Sequence, residues 1–195
     1  MIDATHASRA VPGACRSLSL LGDRARALAL LTPICLAGPA SAGDVHVDGL
    51  KVVEVGVFEA TTVQKDPADT PSGVVLLQKD VRLAQSTTEV CPRPGVLFGL
   101  RYAVEGEPQG APVEIVVRIN FPGAGVRYPG SRTREKYAEQ AYTRDIGAIR
   151  FSDYAIGGYW DALPGHWSIQ FWSDGRLIGE QGFELKKSAC RAARK

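Results

Sequence analysis

Histidine is scarce in this chain: three in 195 residues, at positions 6, 46 and 166. A Ser-His-Asp hydrolase needs a base beside its nucleophile, displayed on a recognisable turn, and no G-x-S-x-G occurs. A zinc centre needs three or four convergent His, Cys or carboxylate ligands, which His46 and His166, far apart in the chain, and few cysteines do not supply. No glycine-rich phosphate loop is present. The "GAG" at 123–125 has neither the G-x-G-x-x-G spacing nor a strand before and a helix after it. No apolar run approaches the roughly 20 residues of a membrane span. No cofactor or metal is expected.

What is present early in the chain is an export pattern. Arg24 and Arg26 precede an apolar run over 27–37, which leads to Ala40-Ser41-Ala42. A basic flank, a short apolar run and a small-x-small site together describe a secretory signal peptide, cleaved here after Ala42. Cys35 invites a lipoprotein reading, but Pro33-Ile34 before it are not the small residues that lipid attachment prefers.

Residues 1–42 contain Arg9, Arg16, Arg24 and Arg26 against Asp3 and Asp23. Without them the formal charge of +2 falls to zero, leaving no basic excess of the kind that binds nucleic acid. The remainder, 43–195, is expected to be one domain with a short polar C-terminal tail and no transmembrane segment. It is expected in the periplasm or the medium, where disulfides persist. Cys91 and Cys190 are then the two remaining thiols. Bonded, they would close a loop of about 100 residues, worth up to roughly 4–5 kcal/mol in the chain-entropy model. The other reading leaves both free, with Cys190 in a frayed tail. The bond is the expectation.

Period-two apolar runs dominate from Val45 onward. "VHVDGLKVVEVGVF" carries Val45, Val47, Val53, Val55 and Val57. "GVVLL" and "DVRLAQSTTEV" follow a Pro-rich loop, "QKDPADTPSG". "VLFGLRYAV" puts Val96, Phe98, Leu100, Tyr102 and Val104 on one face; "VEIVVRI" alternates Val113, Ile115, Val117 and Ile119 against Glu114 and Arg118. "IGAIRF" is a shorter candidate. Seven or eight short strands without a long amphipathic helical window indicate an all-β sandwich or barrel. "SRTREKYAEQAYT" is the exception, read as a short helix in a crossover or as an irregular crossover.

The chain closes on "PGHWSIQFWSDGRLIGEQGFEL", residues 164–185. Trp167, Ile169 and Phe171 share the core face, with His166, Ser168, Gln170 and Trp172 on the other. Asp174-Gly175 is a strong type I′ hairpin signal. A two-residue loop pairs Phe171 with Ile178, yet Phe183 and Leu185 have the opposite parity. A β-bulge near Gly179 or Gly182 restores the register. The alternative is a three-residue loop with Gly175 left-handed, turning Leu177 inward and Ile178 out.

Pro-Gly-x-Trp followed by Trp172, Gly175-Arg176, Ile178, Glu180-Gln181 and Phe183 resembles the C-terminal signature of the bacterial domain-of-unknown-function family 3859. "PGVLFGLRYAVEGEP" (94–108) is similar to its central stretch, and "IVVRINFP" to the strand that follows. The resemblance spans roughly 48 to 186. It departs at His166, where an acidic residue is expected, and at Leu97, where a basic one is. It implies an immunoglobulin-like antiparallel sandwich and no activity.

Chemistry-bearing residues are sparse. Glu54, Glu59, Glu114 and Asp161 are the carboxylates from which a glycosidase pair would have to come. His166 reads as a surface residue at a strand start. Arg127, Arg132, Arg134 and Lys136 form an anion patch or a solvated crossover. Tyr159, Trp160 and Trp172 are the candidate binding residues, because exposed aromatics rimmed by polar groups mark interaction sites; their other reading is a lid on the core. These features describe a non-catalytic binding or interaction module of the bacterial envelope, partnered by an envelope protein or a glycan. An envelope enzyme, such as a glycan-active hydrolase with an unlocated carboxylate site, and a purely structural accessory protein are the alternatives.

Overall fold

A computed structural model describes residues 44–67 and 74–192. The expected signal peptide, residues 1–42, lies outside them. Among the described residues nine strands form two sheets. The strands are β1 (His46–Pro67), β2 (Val74–Gln85), β3 (Glu89–Val90), β4 (Leu97–Glu107), β5 (Pro112–Asn120), β6 (Tyr137–Asp145), β7 (Ile149–Ala155), β8 (Gly165–Ser173) and β9 (Arg176–Leu185). One helical turn, α1 (Ala189–Ala192), follows. Sheet A has the order β2-β1-β4-β7 and sheet B the order β3-β9-β8-β5-β6. Every pairing is antiparallel except that of β3 with β9. The architecture is an immunoglobulin-like β-sandwich.

Alternation places the core. Phe98, Leu100, Tyr102 and Val104 point from β4 toward Val113, Ile115 and Val117 of β5 and Trp167, Ile169 and Phe171 of β8. All are buried. Such runs bury one face because successive side chains of a strand point to opposite sides. Leu97 and Ala103, on the other face of β4, are buried as well. Phe58, the partner of Leu97, stacks on Phe151 at 4.7 Å and covers part of the outside of sheet A.

Two expectations are corrected by pairing. Residues 131–143 form neither a helix nor a crossover. From Tyr137 the chain is edge strand β6, paired to β5 along its whole length. A two-turn helix with three apolar residues has little to bury. The same residues as a strand satisfy their backbone groups on the free edge of β5 and turn Ala138, Gln140 and Tyr142 inward. The Pro-rich loop is also shorter than its composition suggests, since 64–67 still pair with β2. Its tip, 68–73, lies outside the described residues.

The closing hairpin has the two-residue loop. Ser173 pairs with Arg176, and Asp174 (φ 48°) and Gly175 (φ 73°) both take the left-handed conformation of a type I′ turn. The bulge is at Ile178: Trp172 pairs with Leu177 and Phe171 with Gly179. Ile178 is thereby buried and Leu177 exposed, which removes the three-residue alternative. Gly179 is required beside the bulge, because a Cβ there would lie 2.7 Å from Leu50 Cβ.

Cys91, just after β3, and Cys190, in α1, are joined by a disulfide. It ties the end of the chain to the strand that flanks β9 on the outer edge of sheet B.

Candidate functional site

The outer face of sheet B carries the most organised group of polar and aromatic side chains among the described residues. Parity turns Glu114, Val116 and Arg118 outward on β5, since Val113, Ile115 and Val117 face the core. The register then sets their neighbours. Trp172 of β8 and Ala141 of β6 flank Val116, and Gln170 and Glu139 flank Arg118. Tyr137 sits one step further, beside Asn120.

Arg118 is the centre of this arrangement. Its Nε donates to the Glu139 carboxylate at 2.6 Å, directly across the strand pair. Its guanidinium carbon lies 4.7 Å from the Tyr137 ring centroid and 5.2 Å from that of Trp172. A planar guanidinium held between two rings is a favourable cation–π geometry. Among the described residues its two terminal nitrogens make no hydrogen bond. Trp172 Nε1 donates to Gln170 Oε1 at 3.3 Å, which fixes the indole over the sheet. The type I′ turn brings Asp174 to the same side. Together Glu114, Val116, Arg118, Glu139, Trp172 and Asp174 line a groove of about 340 Å³, open to solvent.

Of the three aromatic residues singled out by sequence, only Trp172 belongs here. Tyr159 and Trp160 precede β8, whereas Trp172 is near its end, seven residues beyond Gly165, a separation of about 23 Å along the strand. Trp160 packs on Tyr128 at 5.0 Å and against the core, as a lid. Tyr159 is 88% exposed at the turn. The three do not share a surface.

The carboxylate candidates are also separated. Glu54 pairs with Arg101 at 2.8 Å and Glu59 with Arg82 at 2.6 Å. Buried Asp161 accepts from the Gly157 and Gly158 amides (2.9 and 2.8 Å) and from the Tyr154 hydroxyl (3.1 Å). It organises the loop that carries Tyr159 and Trp160. Burial, above all, pushes the Tyr128 phenol up to about 12 and raises that of Tyr154 further, so both stay protonated donors. Glu114 alone of the four enters the groove. His166 is exposed and contacts Glu184 at 2.7 Å. In the 121–136 connection, Arg127, Arg134 and Lys136 donate to carbonyls of Arg132, Gly125 and Gly123, so the basic run braces its own loop. Among the described residues no group of three or more His, Cys, Asp or Glu is arranged to hold a metal.

The outside of sheet A holds one perturbed carboxyl. Burial raises Asp153 to about 6, opposed by a hydrogen bond from Gln78 Nε2 at 3.3 Å. Gln78 Oε1 is buried without a partner. Because the folded value lies above the unfolded one, the folded protein binds more protons between about pH 4 and 6. Stability therefore falls as pH rises through that window, and the whole cost is present at pH 7. Asp153→Asn removes the buried charge and offers an N–H to Gln78 Oε1. At pH 7 it is expected to stabilise by about 1–2 kcal/mol, with the gain shrinking toward pH 4. Urea unfolding at both pH values measures this; equal stability of the two proteins at pH 7 would overturn it.

The family profile of the domain of unknown function DUF3859 matches residues 46–185. The chain belongs to the DUF3859 family. That match runs from the first residue of β1 to the last of β9, so the DUF3859 domain is the whole sandwich. An immunoglobulin-like protein from Pseudomonas aeruginosa, known from a crystal structure, is 23% identical, with 75% of this chain and 99% of that one covered and a TM-score of 0.48. No curated protein matches.

Besides Trp172, only Glu114 was singled out from sequence, and there as a candidate glycosidase carboxylate. Glu114 and Arg118 could have been found from the parity of "VEIVVRI", which puts them on the same face as Val116. Tyr137 and Glu139 could not, because their place depends on residues 137–145 being a strand.

Proposed function

We propose that this DUF3859 protein is an exported, non-catalytic binding module of the bacterial envelope, and that its ligand engages the outer face of sheet B. The observation that carries this is the groove lined by Trp172 and Arg118, where the guanidinium also packs on Tyr137 and its terminal nitrogens make no hydrogen bond among the described residues. A structural surface needs no such arrangement. Aromatic and arginine side chains held together, half-buried and rimmed by polar groups, have the composition from which binding hot spots are built. Export is supported by the signal pattern of residues 1–42 and by the Cys91–Cys190 disulfide, a bond that persists in oxidising compartments. Tyr159, at the opposite end of β8, offers a separate and smaller contact.

The three indole N–H resonances test the proposal in one spectrum. On titration with soluble polypeptide and glycan fractions of an envelope extract, the Trp172 signal is expected to shift. That of Trp167, buried in the core, is expected to stay. No movement of Trp172 with any fraction removes the outer face of sheet B as the binding surface.

A further inference from the structure

The charges lining the groove are unequal, and their positions assign the chemistry of its occupant. Three carboxylates, Glu114, Glu139 and Asp174, face one guanidinium, that of Arg118. Glu139 is satisfied by Arg118. Among the described residues Glu114 and Asp174 form no ion pair. Both lie at the hairpin end of the groove, where Ser173 Oγ donates to the Glu114 carbonyl at 3.3 Å and so brings the turn against this part of β5. Along β5 the groove therefore runs from two free carboxylates, past the apolar pair Val116 and Trp172, to Arg118.

We infer that the groove docks a lysine or arginine side chain carried by an extended segment of a partner polypeptide. The cation sits between Glu114 and Asp174, and its methylene stem lies on Trp172 and Val116. This inference rests on the binding reading above and names its ligand. Charge complementarity sets the sign, since an incoming anion would meet two uncompensated carboxylates. Shape excludes a fully enclosed small ligand, because such sites bury about 70–90% of the ligand surface and this groove is open on one side. A side chain projecting from a larger partner needs no enclosure; its other contacts lie outside the groove. Long basic side chains place apolar stems on apolar surface and their charge at its edge, which matches the order of groups here.

The test uses the protein from residue 43 onward with its disulfide formed. The probes are a short peptide of alternating lysine and threonine, its glutamate counterpart, and a neutral chitin-type oligosaccharide. The readouts are the Trp172 indole N–H signal and the dissociation constant derived from it. The lysine peptide is expected to shift Trp172, and the glutamate peptide to leave it unmoved. Binding should weaken by about tenfold in Glu114→Gln/Asp174→Asn, and again as salt rises from low to physiological. Asn at 174 suits the left-handed turn position, so this variant removes charge and keeps the hairpin. A lysine peptide that binds the double variant as tightly as the original overturns the inference. So does a Trp172 that responds to the oligosaccharide alone, although the binding reading then survives. Silence with all probes and all envelope fractions removes both.

Discussion

The Cys91→Ser/Cys190→Ser protein is expected to be less stable than the parent by about 4–5 kcal/mol, with a melting temperature lower by about 10–20 °C. The reason lies mainly in the unfolded chain. The bond joins residues 99 apart, so it forbids the most expanded conformations of the segment that carries β4 to β9. Its native contribution is local: it holds α1 against the end of β3, a strand of two residues whose pairing with β9 is parallel. So short a strand has little ladder of its own. Guanidinium unfolding of parent and variant, with the parent also measured under reductant, checks the prediction. Reduction and the double variant should agree. A loss below about 1 kcal/mol in both would mean that the tail and β3 stay docked without the bond.

Trp167→Ala is expected to cost about 3–5 kcal/mol, the range for removing a large aromatic from a core. Trp167 has no exposed surface and is ringed by Phe98, Phe121 and Tyr154 at centroid distances of 5.8, 5.1 and 4.9 Å. Its Nε1 donates to the Leu163 carbonyl at 3.0 Å, fixing the turn that starts β8. Trp167→Phe keeps much of the packing and loses that hydrogen bond, for a smaller cost of about 1–3 kcal/mol. Trp172→Ala, only five residues along the same strand yet on the opposite face, should change stability by less than about 1 kcal/mol. Urea unfolding of the three variants separates the roles, and comparable losses at 167 and 172 would contradict the division into core and groove faces.

That division was legible in the alternation of the closing hairpin. Asp174-Gly175 specifies its turn locally, because few residue pairs tolerate two successive positive φ angles. The conflicting parity of Ile178 against Phe183 and Leu185 required a bulge, and the glycines marked the neighbourhood. Which residue would be the extra one was not legible. It is Ile178 because Leu50 of the other sheet leaves no room for a side chain at 179.

The candidate site divides in the same way. Trp172 could be placed on an outer face from the sequence, and so could Glu114 and Arg118. Their grouping depends on which strands are neighbours, a long-range fact. Tyr159 and Trp160 looked close to Trp172 because they are close along the chain, but β8 runs the length of the sandwich between them. Residues 131–143 misled for a related reason. Their polar composition with scattered apolar positions fits a marginal helix, and only the open edge of β5 makes a strand the better solution.

By itself the sequence determined the local and periodic features: the all-β class, the core faces of β4, β5 and β8, the type I′ turn, and a single cysteine pairing in the domain. Each follows from side-chain period or backbone restriction within a few residues, apart from the pairing, which follows from there being two thiols. The tertiary structure decided what depends on contact between distant segments. It made 137–145 the edge of sheet B, set Arg118 between Tyr137 and Trp172, left Glu114 and Asp174 without an ion pair among the described residues, and sent Tyr159 to the far end. Alternation says which way a side chain points; only the order of strands in the sheet says what it meets.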